Sequence, residues 1–211
     1  MTSPASDLNG FRLWPGLLDR SEQEALRQEV FERLRAGPLY VPRMPKSGLP
    51  MRVRMTNFGE LGWVTDKERG YRYQAAHPLT GKPWPPIPRM LLGLWDEVSG
   101  YPHPPEACLV NYYAGSAKMG MHQDRDEEDF AAPVLSVSLG DTAIFRLGGR
   151  SRKDPTQTYE LKSGDVLLLG GEDRLAYHGI DRILPGTSAL LAEGGRINLT
   201  LRRVTKPGTA T

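Results

Sequence analysis

Cysteine is almost absent: the chain of 211 residues has one, Cys108. A lone thiol excludes an intramolecular disulfide and any zinc or iron–sulfur site built from four cysteines, and it suits a reducing compartment. Long apolar runs are missing as well. No stretch approaches the roughly eighteen apolar residues of a membrane span, and the N-terminal MTSPASDLNG lacks the basic-then-apolar order of a signal peptide. A soluble, cytoplasmic protein with no membrane partner is therefore expected. Charge is nearly balanced, with 27 basic and 25 acidic side chains leaving a net +2. That balance is too mild to demonstrate a nucleic-acid partner.

The length suits one compact domain spanning 1–211, taken as a monomer, and a hydrophobic content of 39% supplies a core that needs no disulfide or structural metal. Basic residues gather in three places: Arg43, Lys46, Arg52 and Arg54; Arg150, Arg152 and Lys153; Arg202, Arg203 and Lys206. Each cluster alone reads as solvated surface.

Residues 21–36 predict a helix, with Ser21 and Glu24 as a capping box and Leu26, Val30, Phe31 and Leu34 along one stripe. Gly37-Pro38 ends it. A second helix is predicted over about 87–98, where Ile87, Met90, Leu91, Leu94, Trp95 and Val98 recur at helical steps. Between them, residues 38–86 are rich in proline and arginine and carry Tyr40, Trp63, Tyr71, Tyr73 and Trp84. These rings suit either a satellite core under loops or a lid on which bases stack. From 107 onward the pattern is all-β: ACLVNYY, APVLSVSLG, TAIFRLGG, TYELKSGDVLLLGG and RINLTLRRV are short apolar or alternating runs broken by glycine. Strands after helices, without βαβ alternation, favour a sandwich or jelly roll with helices outside one sheet.

Histidine is also sparse, with four in the chain. His122 and Asp124 in MGMHQDRDEED stand two apart, so on extended backbone they point the same way. His178 in LAYHGI can complete a set of three. Two histidines and one carboxylate occupy one face of an octahedral iron(II) and leave positions for cosubstrate and dioxygen. The same set also serves a hydrolytic zinc. In RINLTLR, Arg196, Asn198, Thr200 and Arg202 alternate with Ile197, Leu199 and Leu201. The simple reading is an edge strand with its polar face in water. Joined to the histidines, the two guanidiniums instead suit a dicarboxylate such as 2-oxoglutarate, for which a zinc hydrolase has no need.

The order N-x-Y, H-x-D, a distal H and R-x-N-x-x-x-R resembles the AlkB family of Fe(II)/2-oxoglutarate-dependent dioxygenases, in particular its bacterial nucleic-acid repair branch. The resemblance covers about residues 51–202 and takes in MTNFGELGW, GYRY, KPWPPIP, ACLVNYYAGSAKMGMHQDRDEEDFAAPVLSVSLG, AIFRLGGRSRKDP, GDVLLLGGEDRLAYHGI and RINLTLR. It implies a mainly β fold with flanking helices (α+β): a double-stranded β-helix, or jelly roll, over 107–204, with an N-terminal helical extension and a substrate-recognition lid at about 38–86. By the same resemblance His122, Asp124 and His178 bind Fe(II) and form the catalytic set. Asn111, Tyr113, Arg196, Asn198 and Arg202 hold 2-oxoglutarate, with Arg196 on the distal carboxylate and Arg202 near the keto-acid end. Trp63, Tyr71 and Tyr73 belong to the lid, and Asp126 and Arg152 to the substrate pocket.

Two places depart from the family pattern. The stretch between Trp63 and Tyr71 is one residue longer than in an enterobacterial member, and Leu169 stands where that member has tryptophan. The activity implied is oxidative dealkylation of bases of the 1-methyladenine and 3-methylcytosine type in single-stranded DNA, and in RNA beside it. It consumes O2 and 2-oxoglutarate and releases succinate, carbon dioxide and formaldehyde. The target base must leave the stack, and Trp63 and His178 are the expected walls of its pocket. Two rivals stay open on residues alone: an oxygenase of the same fold acting on transfer RNA, protein or lipid, and a catalytically silent nucleic-acid-binding module.

Overall fold

The computed structural model describes residues 4, 6–8 and 10–208. In chain order the elements are β1 (Ser6–Leu8), β2 (Phe11–Trp14), α1 (Arg20–Leu34), β3 (Arg54–Gly59), β4 (Gly62–Asp66), β5 (Gly70–Gln74), α2 (Arg89–Val98), β6 (Ala107–Tyr113), β7 (Met119–His122), β8 (Val134–Gly140), β9 (Thr142–Leu147), β10 (Gln157–Leu161), β11 (Val166–Leu169), a 3-10 turn at Gly171–Leu175, β12 (His178–Leu184) and β13 (Arg196–Arg202). Seven strands form one sheet in the order β1-β2-β11-β8-β13-β6-β3, four form a second in the order β10-β9-β12-β7, and β4-β5 is a separate hairpin. Every pairing is antiparallel. Two antiparallel sheets with helices on the outside of the larger one make the jelly roll that the strand pattern predicts.

The larger sheet is covered on both faces, which is why its strand β11, VLLL, reads as a continuous apolar run. On the outer face Cys108, Val110, Leu135, Val137, Ile197, Leu199 and Leu201 pack with Leu26 and Val30 of α1 and with Leu91, Leu94, Trp95 and Val98 of α2. On the inner face Leu109, Val134, Leu167 and Leu169 meet Ala143, Phe145, Leu147, Ile180 and Ile183 of the smaller sheet. The period of two thus sorts each strand between a helix-covered core and the space between the sheets. No helix among the described residues is long and apolar enough to cross a membrane.

Two expectations are corrected in detail, and one open alternative is resolved. The cap of α1 is Asp19, not Ser21: Asp19 Oδ1 accepts from the Glu22 amide and Glu22 Oε2 from the Asp19 amide, both at 2.8 Å. Aspartate is as good a cap as serine, and starting the helix one residue earlier lets Arg20 pair with Glu24 at 2.6 Å. Phe31 does not join the buried stripe; it is 48% exposed, while Leu26 and Val30 are fully buried. Of the five tyrosine and tryptophan rings between the helices, Tyr40 and Trp84 are core. They bury with Val64 and flank His77 at ring distances of 5.4 and 5.0 Å.

Cys108 sits in the outer-face core with no exposed surface, and burial pushes its thiol up to about 12 against the opposing pull of Arg202 and Arg33. The reactive species is the thiolate, which at pH 8 is scarce as well as shielded. A water-soluble disulfide reagent is therefore expected to leave the native protein unlabelled at pH 8 and to label one thiol per chain in denaturant. Labelling of the native state at the unfolded rate would contradict the packing.

Candidate metal centre and cosubstrate cavity

His122 ends β7 and His178 begins β12, and the two strands pair so that these residues face each other in register. Gly179 permits the approach, because a Cβ there would lie 2.7 Å from the Met119 carbonyl oxygen. Asp124 follows in the loop after β7. Its Oδ1 lies 3.7 Å from His122 Nε2 and its Oδ2 3.9 Å from His178 Nε2. One ligand atom from each of the three residues falls within 4.8 Å of the others.

Both imidazoles are oriented by their far nitrogen: Nδ1 of His122 meets the Gly120 carbonyl at 2.9 Å, and Nδ1 of His178 meets the Ala176 carbonyl at 3.0 Å. A carbonyl only accepts, so Nδ1 carries the proton and Nε2 presents a lone pair, the usual arrangement behind a metal-binding histidine. Burial, with His122 adding to it and Asp124 opposing, pushes His178 down to about 4, so it is neutral near pH 7 and available as a ligand. Burial pushes the Asp124 carboxyl up. The Arg202 guanidinium and then His178 and His122 outweigh it and hold Asp124 well below the usual carboxylate range. Two imidazole nitrogens and one carboxylate on one side of a cavity fit a hard-to-borderline divalent ion with open positions.

The cavity has a volume of about 840 Å³ and lies between the sheets. Along its floor run Arg196, Asn198, Thr200 and Arg202 of β13, with Asn111 and Tyr113 of β6 beside them. The pairing aligns Arg196 with Tyr113 and Asn198 with Asn111. β13 is no edge strand: it lies between β8 and β6, with its apolar residues in the outer core and its polar face turned into the cavity.

Arg196 has no exposed surface and finds only neutral acceptors, the Leu161 carbonyl at 3.1 Å and Ser138 Oγ at 2.7 Å. Its Nε has no partner, nor does Asn111 Oδ1. Burial pushes Arg196 down to about 10, so it stays charged at neutral pH. A buried cation with an unpaired donor costs free energy unless an anion joins it, and a carboxylate in the cavity would supply that partner. Burial pushes the Tyr113 hydroxyl up to about 12, so it keeps its proton and can donate. Asn198 is already engaged by Ser136, Val137 and Thr200.

Arg202 was grouped with surface cations by composition, yet it is buried and gives Nη2 to Asp124 Oδ2 at 2.8 Å. Burial pulls its guanidinium down, and Asp124, Tyr73 and Glu127 more than restore it. Arg203 likewise turns to Glu106, at 3.4 Å.

At the mouth stand Trp63, Tyr71, Asp126 and Arg152. Trp63 and Tyr71 stack at 5.4 Å and 22°, and Trp63 Nε1 donates to Asp126 Oδ2 at 2.8 Å. The Trp63 backbone is held by the Asn57 side chain through two bonds of 3.0 Å. Arg152 lies over the Tyr177 ring at 5.0 Å. Tyr73 does not line the cavity; its hydroxyl reaches inward to Glu127. Leu169 does line it, opposite Phe11 of β2. Of the two imidazoles, the His178 side chain, expected with Trp63 at the base pocket, is 11% exposed and that of His122 is 40% exposed, so His122 is the more open of the pair.

Two buried charges beside Asp124, Glu127 and Arg174, escaped the sequence reading. Arg174 Nη2 meets Glu127 Oε2 at 3.0 Å, and its other nitrogens donate to the Asp124 and Ala132 carbonyls at 2.6 and 2.7 Å. Nothing in the acidic run DRDEED or in GEDRLAY separates these two from their exposed neighbours.

Replacing His122, Asp124 or His178 by alanine is expected to abolish Mn(II) binding measured by calorimetry. The two histidine variants should melt near the parent. Asp124→Ala should also lose about 3–5 kcal/mol of stability, because Arg202 is left as an unpaired buried charge. Retained Mn(II) affinity in any of the three would remove that residue from the centre.

Residues 10–202 match the family model described as the 2OG-Fe(II) oxygenase superfamily. An alpha-ketoglutarate-dependent dioxygenase AlkB homolog of Caulobacter vibrioides is 54% identical over 96% of this chain and 91% of its own length. The alpha-ketoglutarate-dependent dioxygenase AlkB of Escherichia coli is 47% identical over 75% of this chain and 74% of its own. The solved structure of OsALKBH1 superposes with a TM-score of 0.78 at 30% identity, covering 94% of this chain and all of that one. Iron(II), 2-oxoglutarate and O2 are the reactants of that superfamily, and the unpaired guanidinium beside an open His-Asp-His face is the chemistry they require. The chain belongs to the AlkB family of 2OG-Fe(II) oxygenases.

Proposed function

We propose that this enzyme oxidatively removes N-linked alkyl groups from bases of the 1-methyladenine and 3-methylcytosine type in single-stranded DNA, with RNA as a second substrate. It would act as a cytoplasmic monomer, a setting that suits its lone reduced cysteine. The observation that carries the reading is the sharing of one cavity by three groups: an open His-Asp-His face, a buried arginine with only neutral partners, and a stacked Trp63–Tyr71 pair at the mouth.

Bound at His122, Asp124 and His178, Fe(II) with O2 and 2-oxoglutarate would supply the oxidation of the N-linked carbon, yielding succinate, carbon dioxide and formaldehyde. The protein binds, orients and shields. Arg196 takes the distal carboxylate of 2-oxoglutarate, with Asn111 and the protonated Tyr113 hydroxyl beside it and Asn198 holding the floor. Arg202 stands at the keto-acid end, where it already orients Asp124. Residues 38–86 act as a recognition lid over a jelly-roll core of 107–204. In that lid Trp63 stacks on the extruded base, Tyr71 lies along the strand, and Tyr73 anchors the hairpin from beneath; Asp126 and Arg152 complete the pocket. A methyl on the pairing edge weakens pairing and lowers the few kcal/mol that extrusion requires, so single strands react most readily.

Arg196→Ala is expected to raise the 2-oxoglutarate dissociation constant about ten- to a hundredfold, the loss of a charge-assisted pair worth roughly 1.5–3 kcal/mol. Titration of the Mn(II)-loaded protein checks it, and unchanged affinity would place Arg196 outside the cosubstrate site.

Trp63→Ala should weaken binding of a methylated single strand by about 1–3 kcal/mol, the value of stacking one base on a ring, and spare succinate release without substrate. If Trp63 served chiefly as core, truncation would instead lower stability by about 3–5 kcal/mol. Melting temperature, succinate release and affinity on the same variant separate the outcomes. Formaldehyde release across methylated DNA, RNA and peptides tests the substrate class, and release from peptides alone would overturn it.

A further inference from the structure

Glu127 is a buried carboxylate, 6% exposed, to which the reading above gives no task. Its Oε1 accepts the Tyr73 hydroxyl at 2.5 Å and lies 3.4 Å from Arg202 Nε, while Oε2 accepts from Arg174. One side chain thus joins strand β5 of the hairpin, strand β13 of the cavity floor, and the 3-10 turn that leads to His178. Its place beside Arg202 matters because a guanidinium is rigid and planar. Glu127 and Asp124 thus flank one guanidinium, Glu127 through an ion-pair contact at Nε that is not a hydrogen bond and Asp124 through the hydrogen bond at Nη2.

The hairpin is tied down at a second point. Trp63 and Tyr73 are cross-strand partners in β4–β5, and they bond to consecutive acidic residues, Trp63 to Asp126 and Tyr73 to Glu127. The two ties differ in burial. Asp126 is exposed and the Trp63–Asp126 bond lies at the mouth, where water and ligand compete for it; Glu127 is buried and its bond is shielded. Bonds in low dielectric are the stronger ones.

We propose that Glu127 is a positioning residue that fastens the lid hairpin, through Tyr73, to Arg202 and Arg174, coupling the seating of the lid to the orientation of the Arg202–Asp124 pair. The Trp63–Asp126 bond is the releasable tie, and the hairpin pivots on the inner one. This rests on the iron and 2-oxoglutarate assignment and is independent of which base is the substrate. Coupling is reciprocal: filling the site at Asp124 and Arg202 tightens the hairpin, and loosening the hairpin weakens the cosubstrate.

Tyr73→Phe tests this with the loss of one oxygen, using Mn(II) and 2-oxoglutarate themselves as probes. In the parent protein the two ligands together should slow tryptic cleavage at Lys67 and Arg69, which lie exposed in the β4–β5 turn. In Tyr73→Phe that cleavage should be about tenfold faster without ligands, the scale of one lost bond to a charged group. The dissociation constant for 2-oxoglutarate should rise about three- to tenfold, with Mn(II) affinity and melting temperature near the parent values. Glu127→Gln should loosen the same turn, and the double variant should be no worse than the worse single, since both act through one contact. Additive effects, or a loosened turn with 2-oxoglutarate affinity intact, would overturn the coupling. So would a general fall in melting temperature with loss of Mn(II), the mark of a purely structural role. A parent protein that binds neither probe would strike the cofactor assignment, and the coupling with it.

Discussion

Arg202 and Asp124 meet at 2.8 Å in the floor of the cavity, 78 residues apart in the chain and both nearly excluded from water. A charge in that position must be paired, since the desolvation of a lone buried ion costs several kcal/mol. The pair therefore constrains more than itself. It draws the loop after β7 onto β13, and Arg174 secures the same loop from the other side through the Asp124 carbonyl. With the loop held there, the Asp124 carboxylate stands opposite the two imidazoles that β7 and β12 bring into register.

The buried charges around Asp124 and along β13 give a sum that chemistry can check. Arg202 and Arg174 are met by Asp124 and Glu127, while Arg196 meets only neutral oxygens. A divalent ion at the triad adds two positive charges, and a dicarboxylate removes two. Both guests together restore the balance the protein already tolerates, whereas either alone shifts it by two. That argues for a site matched to metal and dianion as a set, and it explains why a polar strand face can stand in the middle of a sheet buried on both sides.

Much of this was legible because a strand has a period of two. The alternation in RINLTLR assigns Arg196, Asn198 and Arg202 to one face without reference to any partner, and H-x-D places two ligands together by the same rule. The family pattern supplied the rest of the cavity floor. What was not legible depends on contacts distant in sequence. β13 as a central rather than an edge strand follows from β8 and β6 flanking it, and no local pattern states that. Glu127 stands between the exposed Asp126 and Glu128, and only the approach of Arg174 and Tyr73 makes it a buried acid. At α1 the error was local: aspartate and serine are equivalent caps, and the stretch offers Asp19 and Ser21 two positions apart.

The two histidines of the triad are unequal, and the inequality gives the site a direction. β7 is the edge strand of the smaller sheet and β12 lies inside it. His178 is accordingly buried, with Phe145 5.9 Å from its ring, whereas His122 is two-fifths exposed. The site between them thus has a shielded side at His178 and a more exposed side at His122. A shielded side keeps reactive chemistry from water and strengthens electrostatic contacts. The more exposed side is where a large substrate can present one small group while the rest of it remains outside. A polymer with one modified unit has that shape, so the asymmetry of two imidazoles already favours a reaction on a side group of a long chain.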